Sequence, residues 1–455
     1  MKYPLISTCT KTQGGFKKTL RSSSPSRSRF GGARACEAQK SGVPYSCREK
    51  HFWDEHNADI DVFLKPLFKY TGLVIVLSLI FSACKVAQRP GAAGDQPEVA
   101  KTDTVTIPVD TTAARYIPDT VELNVHRIFK DTVSIIGVGD IMLGTNFPES
   151  WYLPPDEGRG LLAEVTPILQ NADITFGNLE GVILNEGGDP KYCKDPKICY
   201  IFRSPEYMAQ RLKEAGFDVM STANNHAGDF GDPGRLNTMR TLDSLGIEHA
   251  GLLTRPFTTF EMEGMKYGFA AFAPNTGTVS INDLSNAGKI IAHLDSISDI
   301  VIVSFHGGAE GSKYQHVTRE NEYFYGENRG NVYEFAHHVI DAGADVVFGH
   351  GPHVTRAVEV YKERFISYSL GNFATYARFN LRGDNGLAPI IKVFTNSEGK
   401  FLYAEVTPII QHAPGGPSID PEKQVIRRLQ QLTEKDFPEV KIKIDDSGII
   451  TYIQD

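Results

Sequence analysis

The sequence predicts an α/β protein in which helices cover the faces of sheets, and three observations carry that expectation. Short apolar runs with strand character, such as TVSIIGVGD at 132–140 and DIVIVSFHGG at 299–308, alternate with amphipathic stretches such as SPEYMAQRLKEAGF at 204–217 and NVYEFAHHVIDAG at 331–343. That alternation is the pattern of strands and covering helices. The apolar runs end in polar residues, as strands do where they emerge at a sheet's carboxyl edge. A chain of 455 residues with 41% hydrophobic composition can bury a sizeable core.

Taken in order, residues 1–63 are Ser- and Arg-rich, lack periodicity and read as a disordered leader. LKPLFKYTGLVIVLSLIFSAC, residues 64–84, sets Lys65 and Lys69 before an apolar run of signal-peptide length and the small residues Ser82 and Ala83 before Cys84. It resembles a bacterial lipoprotein signal, with Cys84 as the lipid anchor and Phe81 where Leu is usual. A plain secretory signal or a single membrane anchor is the alternative. A signal so far from the start, with no methionine between Met1 and Met142, leads us to expect translation to begin near Val62 or Leu64. Residues 85–130 are scattered with Pro, Gly, Thr and Asp and read as a linker.

The folded domain is expected over 131–415. Strands are expected in TVSIIGVGD, in DITFGNLE at 173–180, at the start of DVMSTANNH at 218–226, in MKYGFAAFAP at 265–274, in DIVIVSFHGG and in ADVVFGHG at 344–351. Helices are expected in SPEYMAQRLKEAGF, PGRLNTMRTLDSLG at 233–246 and NVYEFAHHVIDAG. AVEVYKERFISYSLGNF, 357–373, reads as a hairpin about Lys362-Glu363-Arg364, and APIIKVFTN and KFLYAEVTPII as edge strands. Residues 416–455 add an amphipathic helix with Val425, Leu429 and Leu432 on one face, then a hairpin about Asp446-Ser447-Gly448, packed on the domain.

Charge narrows the partners. Residues 1–83 carry 13 Lys and Arg against 6 Asp and Glu, and the remainder 34 against 49, a formal −15. So acidic a body does not suit a phosphate backbone, so no nucleic-acid partner is expected. Cys9, Cys36 and Cys47 fall in the leader, while Cys193 and Cys199, spaced as CKDPKIC, suit a small disulfide-closed loop in an exported protein.

Asp140, Glu180, Asn225, His226, His306, His350 and His353 all stand at or just past the end of an expected apolar strand. Singly each has an ordinary reading: Asp140 in an Asx-turn, Glu180 solvated, His306 a satisfied core histidine. Together they offer oxygen and nitrogen donors without thiolate, a set for Mn, Fe or Zn and less for Ca, binding one or two ions. His337 and His338, inside a helix, and His316, in a charged loop, read as structural.

The succession GVGDIMLG, NADITFGNLEG, STANNHAGDFG, VSFHGGAEG, AGADVVFGHGPHV and YSLGNF, over roughly 132–376, resembles the poly-γ-glutamate capsule synthesis family of the CapA or PgsA type, which has a calcineurin-like metallophosphoesterase fold. The resemblance implies an α/β two-sheet sandwich flanked by helices, with metal ligands on loops at the strand ends, and export through the membrane. It implies metal binding by Asp140, Glu180, Asn225, His306, His350 and His353, with His226 as the proton donor to the leaving group. Glu310 matches a family glutamate. Asn178, Asn224 and Asn372 join it as candidates for substrate contact or for support of the ligands.

This chain departs from ordinary metallophosphoesterases in having Met142 rather than an imidazole after Asp140, Glu180 for an aspartate, and two residues between His350 and His353. Gly307 and Gly311, where the family has Trp and often Tyr, imply a more open groove. Two functions follow. One is an envelope-anchored metallohydrolase acting on a phosphoester. The other is a non-catalytic component of a membrane capsule-synthesis complex that binds an anionic polymer, for which Arg203, Arg235, Lys313, Arg319, Arg329 and Arg356 are the candidate cations, although most of them read more simply as residues of solvated faces.

Overall fold

Two sheets pack face to face through apolar side chains, and the register within each sets where its polar strand ends lie. The structure is a computed structural model that describes residues 130–195 and 199–453. The leader, the signal segment with Cys84, and the linker up to residue 129 lie outside the described residues.

The larger sheet has ten strands. Its main path runs Ile442–Ile444, Ile449–Tyr452, Phe401–Gln411, Leu387–Asn396, Thr132–Met142, Ile174–Leu179, Val219–Ser221 and Glu248–Ala250. Asn372–Thr375 pairs with Thr132–Met142, and Pro417–Ile419 with Phe401–Gln411. The second sheet, of six strands, runs Val358–Tyr361, Arg364–Ser367, Val346–His350, Ile300–His306, Met265–Phe272 and Phe257–Met262.

Strands buried on both faces read as continuous apolar runs, and Thr132–Met142, Ile174–Leu179 and Ile300–His306 do so. Between the sheets, Val133, Ile135, Ile174 and Phe176 of the first pack with Phe269, Ile300, Ile302 and Phe348 of the second. The Phe176 and Phe348 rings stack at 5.4 Å, an offset contact worth about 1 kcal/mol beyond the area it buries. Helix Glu206–Ala215 and Leu242 of helix Gly231–Ser244 cover the outer face of the first sheet. Leu284–Asp295 and Val332–Asp341 cover that of the second. The result is the two-sheet sandwich flanked by helices.

The expected edge strands are a correction. Leu387–Asn396 and Phe401–Gln411 are interior, because the C-terminal hairpin adds strands beyond them through Ala404 opposite Ile450. Residues 416–455 therefore continue the main sheet, and helix Gln424–Asp436 buries Val425, Leu429 and Leu432 as its spacing predicts. The hairpin about residues 362–364 forms, with Lys362 and Glu363 both left-handed at φ 47° and 61°, the backbone that matches a two-residue turn to strand twist. Among the described residues no helix is long and apolar enough to cross a membrane.

Candidate metal centre

Parallel pairing aligns the functional residues before any side chain is considered. In the first sheet Asn372 lies opposite Asp140, Asp140 opposite Asn178, and Asn178 opposite Ser221. In the second, His350 lies opposite His306. Apart from Asn372, which begins its strand, each row lies at the carboxyl ends of parallel strands, where ligand sites of α/β sheets form.

Asp140, fully buried, stands at the middle. Its Oδ2 lies 2.9 Å from His353 Nδ1, and its Oδ1 accepts from Asn178 Nδ2 at 2.8 Å and lies 3.4 Å from His350 Nδ1. Glu180 Oε1 is 3.5 Å from His353 Nε2 and 3.9 Å from His226 Nε2. Asp140, Glu180 and His353 each present a ligand atom within 4.8 Å of the others.

The turn that carries His353 is held in an uncommon backbone. His353 itself is left-handed at φ 56°, and Gly351, at φ 114°, lies so close to Gly307 that a Cβ there would meet its carbonyl oxygen at 2.6 Å. The second-sheet turns after His306 and His350 therefore touch backbone to backbone, which only glycine permits.

Hydrogen bonding divides the candidates into two groups. Asn224 is fully engaged: its Nδ2 donates to Leu179 O at 2.8 Å, and its Oδ1 accepts from His226 N at 3.1 Å. Asn178 bridges Asp140 and His306 Nδ1. Both hold other residues in place. In contrast, both oxygens of Glu180, Asn225 Oδ1, His306 Nε2, both ring nitrogens of His350 and Asn372 Oδ1 are buried without a hydrogen-bond partner in the protein. Buried polar atoms are nearly always paired. Here the unpaired ones are carboxylate and amide oxygens and imidazole nitrogens gathered at and just past the strand ends, the donor types that a divalent cation takes. Asp140, Glu180 and His353 fit as ligands, with Asn225, His306 and His350 as further donors. Asn372 Oδ1 joins them, although the sequence assigned Asn372 to substrate contact or to support of the ligands.

Electrostatics are those of a metal-free carboxylate–imidazole cluster. Burial opposes charge on Asp140, but the His350 and His353 imidazoles outweigh it and hold its carboxyl well below the usual range. Burial pushes Glu180 well above it. Burial also opposes charge on His353, yet the carboxylates of Glu180 and Asp140 raise it to about 10. His306 is driven well down by burial.

His226 has a partner that the sequence left unassigned. Its Nδ1 lies 2.7 Å from Asp229 Oδ2, while Asp229 Oδ1 lies 2.5 Å from Lys191 Nζ, and Phe202 N donates to Asp229 Oδ2 at 2.6 Å. The signal was present as the aspartate between glycines in HAGDFG, three residues after His226. Burial lowers the His226 pKa in spite of Asp229. The Phe202 ring lies 4.2 Å from the imidazole. Lys191 and Phe202 flank the segment closed by the Cys193–Cys199 disulfide.

Glu310 is bound to Arg329 at 2.8 Å, and Arg329 also pairs with Glu327 at 2.6 Å. Arg356, buried, binds Glu322 through two bonds of 2.7 Å, and Glu322 accepts from Ala309 N at 2.9 Å. This pair ties the loop after His306 to the turn after His353, and its 34-residue separation left no local trace. It also corrects the list of polymer-binding cations. Arg356 and Arg329 are consumed by internal carboxylates, Arg235 pairs with Asp232, Arg319 with Glu439, and Arg203 bonds Asn146. The open groove expected at Gly307 is corrected too: a Cβ there would meet Arg329 O and Ile281 Cδ1 at 2.8 Å. At Gly311 the space is open.

The centre reaches a cleft of about 480 Å³ through Asn225, His226 and His353, and Glu310, Tyr200, Tyr325 and Phe379 are among the other residues that line it. Fold and site together define a two-sheet α/β protein with a buried carboxylate–imidazole centre open to a cleft. Residues 134–377 match the family model described as Bacterial capsule synthesis protein PGA_cap, and the chain belongs to that family.

Among its relatives, Capsule biosynthesis protein CapA of Bacillus anthracis is 29% identical over 287 residues, covering 55% of this chain and 64% of that one. PGA biosynthesis protein CapA of Bacillus subtilis is 29% identical over 325 residues, covering 66% and 78%. A Probable polyglutamine synthesis accessory protein of Mycobacterium tuberculosis is 28% identical over 275 residues, covering 54% and 66%. Likeness to solved structures is weaker. A putative 5'-nucleotidase from Staphylococcus aureus has a TM-score of 0.36 at 16% identity, covering 66% of this chain and 58% of that one. The calcineurin-like phosphoesterase YfkN from Bacillus subtilis has 0.34 at 14%, covering 64% and 90%. Scores this low carry no argument about chemistry.

Proposed function

We propose that this chain is a metal-dependent phosphoester hydrolase of the cell envelope, working in the synthesis or export of a capsule-type polymer. One observation carries the reading: the unpaired polar atoms of Glu180, Asn225, His306 and His350 sit with Asp140 and His353 beside an imidazole already oriented by a carboxylate. Mn, Fe or Zn, as one ion or two, would be held by Asp140, Glu180 and His353, with Asn225, His306 and His350 as further donors. When bound, it supplies a Lewis acid and a water of lowered pKa.

The chain's own groups do the rest. Asp229 fixes the His226 tautomer with Nδ1 as donor, so that Nε2 handles the proton of the leaving oxygen. Its lowered pKa makes the neutral imidazole the resting form at neutral pH. The proton that His226 passes to the leaving alcohol therefore arrives with a phosphomonoester bound as its monoanion, or, for a diester, which carries none, from solvent. Anchoring through lipid-modified Cys84 completes the proposal and places the domain on the periplasmic or outer face of a bacterial envelope.

The reading of a non-catalytic polymer binder has less support, since two of its six candidate cations, Arg329 and Arg356, are buried against carboxylates. The test is hydrolysis of a panel of phosphomonoesters and diesters by metal-loaded protein and by His226→Ala. The proposal expects turnover that falls by about a hundredfold or more in the variant while metal is retained. Metal-loaded protein inert to the whole panel would sink it.

A further inference from the structure

We propose that the cleft above the centre selects phosphoesters whose alcohol carries a hydroxylated ring, a sugar, over those of an open polyanionic chain. This rests on the hydrolase reading above and names its substrate class.

The walls are aromatic. Tyr200 and Phe379 line one part of the cleft, and Phe324 and Tyr325 another. Tyr200 is 46% exposed and Tyr325 75%, which for rings beside a polar floor leaves flat apolar faces open to a ligand. These rings are held before any ligand arrives. The Arg378 guanidinium lies 4.7 Å from the Tyr152 ring and 5.1 Å from that of Tyr200. Phe324 packs on Tyr325 at 4.4 Å and under the Arg329 guanidinium at 5.8 Å. Phe379 stacks on Phe202 at 5.3 Å, and Phe202 packs against His226. Rings fixed in this way give up little entropy on binding, and the C–H face of a sugar or a planar base can lie on them.

The polar atoms between the rings suit hydroxyls. Asn275 donates through Nδ2 to Glu327 at 2.7 Å, which leaves its Oδ1 without a partner, and Arg378 Nε has none. One acceptor and one donor are the complement of an alcohol. Charge in the cleft is mixed. Lys191 is occupied by Asp229 and Arg329 by Glu310 and Glu327, and those last two carboxylates themselves line the cleft beside Lys194 and Arg378. A chain with a carboxylate on every repeat would meet repulsion from those two carboxylates, whereas a neutral ring would not.

The test compares kcat/KM of the metal-loaded full chain for glucose phosphate, adenosine monophosphate and glycerol phosphate, repeated in Tyr200→Ala and Tyr325→Ala. Ring substrates should lead by about tenfold or more, with the lead shrinking by about tenfold on removal of either ring. Glucose phosphate and the nucleotide each uphold the proposal, their ratio showing whether sugar or base takes the stack. Preference for glycerol phosphate, or a lead unaffected by both substitutions, overturns it.

A second measurement holds even if no phosphoester is cleaved, the outcome that defeats the hydrolase reading instead. Saturation-transfer NMR with glucose phosphate and with a short γ-linked glutamate oligomer reads binding alone. Transfer to the sugar ring protons, lost in Tyr200→Ala, upholds the subsite, and transfer to the oligomer alone overturns it.

Discussion

Two buried clusters in this molecule are built from the same residue types and are opposite in kind. At the strand ends, Asp140 and Glu180 meet His306, His350 and His353, and seven buried polar atoms of this region, those of Asn225 and Asn372 included, have no hydrogen-bond partner. Under helix Val332–Asp341, Glu359 meets His337 at 3.0 and 3.1 Å and accepts from Tyr368 Oη at 2.7 Å, while Tyr361 stacks on the imidazole at 3.7 Å. Both carboxylate oxygens there are satisfied. A satisfied cluster pins an element to its neighbour; an unsatisfied one is waiting for a ligand, since leaving donors bare costs about 1–3 kcal/mol each. Residue type does not tell the two apart, and the state of the lone pairs does.

The comparison breaks most visibly at Asp140. Asp140→Ala should abolish tight metal binding and lower phosphoester turnover by about a thousandfold or more, checked by elemental analysis beside kinetics. Retained metal with retained turnover would mean that the centre lies elsewhere.

Next in size is Arg356→Ala, which strands Glu322 in the interior. It should cost about 3–5 kcal/mol in chemical denaturation. A loss below 1 kcal/mol would show that the clamp between the two ligand-bearing turns is dispensable. Asp229→Asn should lower kcat by about a hundredfold with metal content unchanged, because only the orientation and charge partner of His226 are lost. Loss of metal along with kcat would make Asp229 part of the scaffold.

His353 sharpens the contrast through pH. With its folded pKa raised to about 10, the stability that it gives metal-free protein is fully present below its unfolded value near 6.5 and is lost as pH rises through 10. The metal-free melting temperature should therefore fall between pH 7 and pH 10. Metal uptake at neutral pH should release about one proton into a weakly buffered indicator solution. The smallest effect belongs to the satisfied cluster: His337→Gln should cost about 1 kcal/mol and leave metal content and turnover alone.

Much of this was legible in the sequence for a local reason. A strand that must be apolar while buried and polar where it emerges marks its own end, which is why Asp140, His306 and His350 stood out. Asp229 lay three residues from His226 in plain sight, but a lone aspartate in a glycine turn has an ordinary meaning as well.

Other features depend on distant parts of the chain. Glu322 and Arg356 become partners only once two turns meet, and Leu387–Asn396 becomes interior only when the final hairpin pairs beyond it. Helix Leu284–Asp295 was missed although Asp283 caps it by accepting from Asn286 N at 3.0 Å, because its polar start reads equally well as a loop. Gly307 taught the converse. A glycine where the family resemblance implies a large ring need not open space, since here a backbone carbonyl and an isoleucine fill it.

The most direct test of the central claim is metal per chain, by elemental analysis of protein purified without added metal, beside Asp140→Ala and His337→Gln. The account predicts one or two Mn, Fe or Zn ions in the parent and in His337→Gln, and none held tightly in Asp140→Ala. No ion in any of the three, even after exposure to each metal, would contradict it and leave the unpaired atoms of the strand ends without their ligand.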